Sequence, residues 1–178
     1  MLFSETKIAN AWLIKPQRRA DERGHFARVW CEREFLERGL ETRLAQANAG
    51  FSPARGTLRG MHFQLPPHDE VKVVRCTRGA VYDVVVDLRP QSPTHGQWIA
   101  EELSADNGHM LYCPAGCAHG YQTLVDDTEL WYQTSQFYAP QAARGVRYND
   151  PAFNITWPLK VTAMSPADLA WPNYEGKG

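Results

Sequence analysis

The sequence has no apolar run approaching the ~20 residues that cross a bilayer as a helix. Its first stretch, "MLFSETKIANAWLIKPQRRADERG", lacks the basic-then-apolar order of a secretion signal. A cytoplasmic protein without membrane association is the expectation. Charge of one sign is missing too. Nineteen Lys and Arg against 20 Asp and Glu give a formal net charge of −1. That argues against a general nucleic-acid binder and leaves room only for a local basic pocket. Cysteine is sparse: Cys31, Cys76, Cys113 and Cys117, with no CxxC pair, read as reduced thiols. The spacing of Cys113 and Cys117 suits a metal, but no second Cys/His pair completes a zinc set, so packing is the better reading. A GxGxxG fingerprint is lacking, which removes the usual nicotinamide or flavin site. Internal repeats, low-complexity segments and interdomain linkers are likewise absent.

What is present is a chain of 178 residues, 43% hydrophobic and 22% charged, suited to one globular domain over residues 1–178. Proline and glycine punctuate it in "LPPHD", "RPQSPTHG", "CPAGCAHG" and "YNDPAF". Between them lie short β-type runs: "HFARVW", "EVKVVRCTR", "AVYDVVVDL", "QWIAEEL", "HMLYCP" and "ELWYQTSQFY". Many short strands at regular spacing point to a mainly-β sandwich or barrel. A helix is expected at "CEREFLERGL", with Phe35, Leu36 and Leu40 on its apolar side and Gly39 near its end. A second helical turn is expected to start at Ser165.

Alternation sorts side chains onto faces. In "AVYDVVVDL", Val81, Asp83, Val85 and Asp87 share one face, suited to a polar cavity. Tyr82, Val84, Val86 and Leu88 share the other, suited to packing against a sheet. Leu130, Tyr132, Thr134, Gln136 and Tyr138 share a face of "ELWYQTSQFY". In "RGMHFQ", His62 and Gln64 point together. Strict alternation sends Arg59 to the other side, unless Gly60 forms a bulge.

Three cationic or basic groups, Arg59, His62 and Lys72, thus crowd two segments that otherwise read as buried. They fit a site that removes a proton and holds the anion left behind. Each also has a plainer reading. His62 suits a hydrogen-bonded core position, and Asp168 suits the capping box "SPAD". Asp83 and Asp87 suit polar strand positions, and Tyr132 and Tyr138 suit amphipathic sheet positions. His119, in "PAGCAHGYQ", reads as a turn histidine or a ligand contact. His25, His68, His95 and His109 read as exposed, and Arg23 in "DERGHF" as a phosphate contact or a charged turn. His62, Gln64 and His119 make a weak metal shell, with no HxH pair and no acidic ligand at matched spacing, so no metal is expected.

Taken together, "LRGMHFQ", "EVKVVRC", "VYDVVVDLRPQSPTHGQW", "LSADN", "CPAGCAHGYQTLVDDTELWYQTSQFYAP" and "GVRYNDPAFNITWP" resemble the dTDP-4-dehydrorhamnose 3,5-epimerase family. The resemblance runs in order from "DERGHF" to "SPAD". It implies a cupin-type jelly roll, a homodimer, no cofactor, and a nucleotide-linked 4-keto-6-deoxyhexose as substrate. By motif position it implies His62 as the base and Asp168 as its orienting partner. Tyr132 is then the opposite-face proton donor, and Lys72 the cation at O4. It further implies that Arg23, Arg59 and His119 contact diphosphate or sugar, and that Phe26, Gln46, Asn48 and Tyr138 hold the substrate, Tyr138 by stacking on the base.

The sequence departs from the family pattern where the nucleotide is read. Arg28, Ala143 and Ala167 replace Glu, Glu and Lys, and Cys117 and Tyr121 replace phenylalanines. A carboxylate accepts thymine's ring N–H, whereas arginine only donates. Arg28 therefore suggests a different base, with CDP first and dTDP close behind, unless it turns to solvent. Two other functions stand beside epimerisation: a cupin ketoisomerase, and a non-catalytic sugar-nucleotide-binding domain. The presence of His62, Lys72 and Tyr132 together favours the epimerase.

Overall fold

The computed structural model describes residues 1–176. The chain runs through β1 (Leu2–Glu5), β2 (Trp12–Lys15), β3 (Arg19–Asp21), β4 (Gly24–Phe26), α1 (Glu32–Leu36), β5 (Gln46–Ser52), β6 (Leu58–Gln64) and β7 (Lys72–Arg78). It continues through β8 (Ala80–Asp87), β9 (Trp98–Ser104), β10 (Met110–Cys113), β11 (Cys117–Thr123), β12 (Thr128–Thr134), β13 (Ala143–Gly145) and α2 (Pro166–Leu169). A six-stranded sheet, β1-β2-β10-β7-β12-β5, faces a five-stranded sheet, β13-β6-β11-β8-β9. The two sheets stay separate rather than closing into a barrel, and β3 and β4 form a hairpin apart from both. No helix among the described residues is long and apolar enough to cross a membrane.

Three apolar layers explain the strand sequences. Between the sheets, Val74 and Cys76 of β7, Leu111 of β10 and Leu130 of β12 meet Val81 and Val85 of β8, Leu103 of β9 and Tyr121 of β11. Outside the five-stranded sheet, Val84, Val86 and Ala118 are covered by Val146, Phe153 and Ile155 from the C-terminal segment. Outside the other sheet, Phe35 and Leu40 cover Ile14, Val73 and Met110. β8 is therefore buried on both faces, which is why "VVV" runs on without polar breaks. The sheet-packed face is the one carrying Asp83 and Asp87. The Val84 and Val86 face packs under the C-terminal segment instead, which corrects the expected assignment. Burying one apolar side chain of this size contributes about 1.5–3 kcal/mol.

Other elements differ from expectation in informative ways. α1 is only five residues, and Leu36 is exposed while Phe35 and Leu40 are buried. The chain turns away at Gly39, where φ is +66°. The "HFARVW" run yields strand only over Gly24–Phe26. "CAHGYQT", expected as a turn, is β11, a strand buried along its whole length between β6 and β8. Gly120 sits there because the backbones meet: a Cβ on it would lie 2.6 Å from Met61 Sδ and 2.8 Å from the Arg59 carbonyl oxygen. Opposite it, β6 carries one extra residue. His119 pairs with His62 and Tyr121 with Arg59, so two steps on β11 span three on β6. That is the bulge anticipated at Gly60, and it turns Arg59 and His62 into the same cavity.

Candidate active site

The cavity measures about 1170 Å³ and opens between the sheets. β6 and β11 supply one wall with Arg59, His62 and His119, and β5, β7 and β12 supply the other with Gln46, Asn48, Lys72 and Tyr132. Helix α2 brings Asp168 to the His62 side. The volume slightly exceeds the roughly 300–1,000 Å³ of ordinary small-molecule sites.

His62 Nε2 lies 2.6 Å from Asp168 Oδ1, 106 residues away in sequence. The Gly60 backbone N–H donates to the other carboxylate oxygen at 3.3 Å. Burial pulls the Asp168 pKa up, but the hydrogen bond and charge of His62 and the Gly60 N–H outweigh it, and the net shift is downward. An ionised carboxylate only accepts, so the His62 proton sits on Nε2 and Nδ1 is left as the basic nitrogen. The capping reading of "SPAD" holds at the same time. Ser165 Oγ accepts from the Asp168 backbone N–H at 3.0 Å, which frees the carboxylate for His62.

Lys72 is nearly buried. Its ammonium lies 2.9 Å from Glu70 Oε1 and donates to the His62 carbonyl oxygen at 3.2 Å. Glu70 escaped the sequence reading. The signal was its spacing, since i and i+2 share a strand face in "EVK". Arg59 is fixed by β5: Nε donates to Ser52 Oγ at 3.2 Å and Nη2 to the Phe51 carbonyl at 2.9 Å. His119 is no turn residue. Its Nε2 lies 3.0 and 2.9 Å from the two oxygens of Asp83, which is fully buried. Burial pushes the Asp83 pKa up, against the pull of His119 and Lys72. Burial also pushes the Tyr121 phenol up to about 12, so it stays protonated in the cavity wall.

Gln64 is spent on structure. Its amide nitrogen donates to the carbonyls of His68 and Phe137, and its oxygen accepts from the Ala139 backbone N–H. Tyr138 stands on the cavity rim, 66% exposed, where a planar ring can receive another. Its backbone N–H is held by Gln46. His25 and His95 are exposed as expected, whereas His68 and His109 are only partly so.

Arg23, Phe26 and Arg28 do not line this cavity. Arg23 pairs with Asp21 on the β3–β4 hairpin, Phe26 is 72% exposed at its edge, and Arg28 pairs with Glu34 of α1 at 3.0 Å. The chain thus brings together nine of the twelve site candidates.

Residues 5–175 match the profile of the dTDP-4-dehydrorhamnose 3,5-epimerase family. The chain belongs to that family. A dTDP-4-dehydrorhamnose 3,5-epimerase of Sinorhizobium fredii is 43% identical over 174 residues, spanning 97% of this chain and 89% of the relative. A dTDP-4-dehydrorhamnose 3-epimerase of Streptomyces niveus is 41% identical over 162 residues, spanning 90% and 78%. The crystal structure of the Bacillus anthracis dTDP-4-dehydrorhamnose 3,5-epimerase, with TDP and PPi bound, superposes with a TM-score of 0.94 at 36% identity, covering 97% of this chain and 99% of that one. Membership of the family makes the fold cupin-like, and the enzyme an isomerase acting on a carbohydrate.

Proposed function

We propose that the protein is an epimerase that inverts C3 and C5 of a dTDP-linked 4-keto-6-deoxyhexose during deoxysugar biosynthesis. The observation that carries the reading is the split of the proton carriers. His62, with its Asp168 partner, stands on β6 of one sheet, and Tyr132 stands on β12 of the other, both lining one cavity. The keto sugar between them can lose a proton to the base on one face, and the flat enolate so formed can gain one from the donor on the other.

The 4-keto group acidifies the protons on both neighbouring carbons, so one constellation treats each in turn. Charge develops on O4, where Lys72 supplies a fixed cation; such a donor is worth roughly 10²–10³ in rate. Arg59 and His119 offer contacts to diphosphate and sugar, Gln46 and Asn48 to the nucleotide, and Tyr138 a stacking surface. Only protons move and no hydride is transferred, so the chemistry calls for no redox cofactor.

The TDP-bound relative supports thymidine as the base. Arg28, engaged by Glu34, lends no geometric support to CDP. Arg23 and Phe26 fit a homodimer, in which the projecting hairpin of one copy reaches the cavity of another. Their exposure in this chain is what supports that arrangement. On this reading the enzyme works in the cytoplasm and supplies deoxysugars to carbohydrates such as O-antigen.

The test is proton NMR of the dTDP-linked substrate in deuterated water. His62→Ala should abolish deuterium uptake at both carbons; persistent uptake at both would reject His62 as the base. Single inversion at C3 is the second reading, favoured by the 3-epimerase relative. Deuterium confined to C3 would select it.

A further inference from the structure

Trp171 occupies the space beside the base. It lies three residues beyond Asp168, past the end of α2, and lines the cavity. Its ring stands edge-on to the His62 imidazole, with centroids 6.3 Å apart and planes at 69°. On its other side it packs over Gly145, the residue of β13 paired with His62 across the sheet. The fit is close: a Cβ at Gly145 would fall 2.4 Å from the indole Cε2 and 2.5 Å from Nε1. The indole thus fills the place where a β13 side chain would stand. Its Nε1–H is buried and makes no hydrogen bond of normal geometry among the described residues. The Asp168 carboxylate lines the same cavity, and after His62 and the Gly60 N–H the indole N–H also helps to lower its pKa.

We infer that Trp171 is a positioning residue for the base: its ring walls in the His62 imidazole, and its buried N–H holds positive charge density against the Asp168 side of the pair. The inference rests on the reading of His62 and Asp168 as the proton-abstracting pair. Nothing is transferred to or from the indole. Its dipole disfavours a proton on the Asp168 carboxylate, which therefore stays ionised, and able to orient His62, to lower pH than it would without the indole.

Other charged groups face the pair. Arg59 shares β6, Lys72 with Glu70 approaches from the opposite sheet, and Arg144 flanks Gly145 on β13. From β11 comes His119, backed by Asp83, and Tyr132 offers a phenol across the cavity. All of these stay in place when only the indole is changed.

Trp171→Phe keeps an aromatic wall and removes the N–H. It is expected to lower kcat about fivefold, the loss typical of one dipole facing a charge. KM should stay within about twofold, and the acid limb of the kcat profile should rise by about half a pH unit. Gly145→Ala, which forces the indole to shift, should move the acid limb the same way. The indole ¹⁵N–¹H resonance of Trp171 in the unaltered protein should follow the titration of the pair, a readout that packing alone would not produce. An unchanged acid limb in a folded Trp171→Phe protein, together with a resonance that ignores that titration, would overturn the inference. Because the resonance needs no variant, poor folding of either substitution leaves the test intact. His62→Ala run in parallel separates the two failures: if it retains exchange, the base assignment is wrong, and if only the Trp171 results fail, the positioning role is wrong.

Discussion

Replacing Asp168 by asparagine tests the pair most sharply, because the change keeps shape and removes charge. In the folded protein the carboxylate accepts from His62 at 2.6 Å and from the Gly60 backbone at 3.3 Å. Asparagine can still accept through its oxygen, so the local fold should survive. What is lost is the stabilisation of the imidazolium that forms as His62 takes the sugar proton. Hydrogen bonds to charged groups contribute about 1.5–3 kcal/mol. The His62 side chain is 46% exposed, so solvent screens part of the Coulomb energy and the lower half of that range applies. At about 1.36 kcal/mol per decade, the expected loss in kcat is roughly 10- to 50-fold. KM should change little, since the interaction strengthens only as charge develops. The assay is the initial rate of deuterium incorporation at saturating substrate, with far-ultraviolet circular dichroism as a fold control. A folded Asp168→Asn enzyme within twofold of the unaltered rate would refute the reasoning, since Asp168 would then be only a helix-terminus residue.

Lys72→Met should lower kcat by about 10²–10³ while substrate still binds, because the cation is needed chiefly when charge reaches O4; steady-state kinetics separates the two, and an effect on KM alone would deny that role. Asp87 is a stability position away from the cavity, accepting from Arg89 at 2.7 and 2.8 Å, from Thr94 at 2.6 Å and from Ser92. Asp87→Ala should cost about 3 kcal/mol, as for breaking a partly buried ion pair, and lower Tm by roughly 6–12 °C by calorimetry. Burial raises the Asp87 pKa, but Arg89, Ser92 and Thr94 more than reverse it, so the folded value lies below the ordinary 3.8. The stabilisation is therefore complete above that pH and fades as pH falls through the folded value, and the Tm gap between the two proteins should close in acid.

Much of the site was legible because alternation in β12 set Leu130, Tyr132 and Thr134 on one face, and Gly60 marked the bulge that reunites Arg59 with His62. Four features resisted a local reading. β11 looked like a turn because Gly120 is demanded by contact with β6, a tertiary cause that local sequence does not carry. The two faces of β8 are both apolar, so periodicity could not tell which one meets the opposite sheet. Asp168 joins His62 across 106 residues, a pairing that came from the family resemblance and that no spacing rule anticipates, since the local cap at Ser165 offered a sufficient reason for an aspartate there. Trp171 went unnoticed because its neighbour is Gly145, and a missing side chain leaves no periodic signal.

The division of labour between the two sheets is tested most directly by the Tyr132→Phe enzyme in deuterated water, followed by NMR at C3 and C5 of the dTDP-linked substrate. With the base intact and the opposite-face donor gone, deuterium should enter both positions while the configuration is retained and inverted product nearly vanishes. Inverted product formed at the unaltered rate would contradict the account.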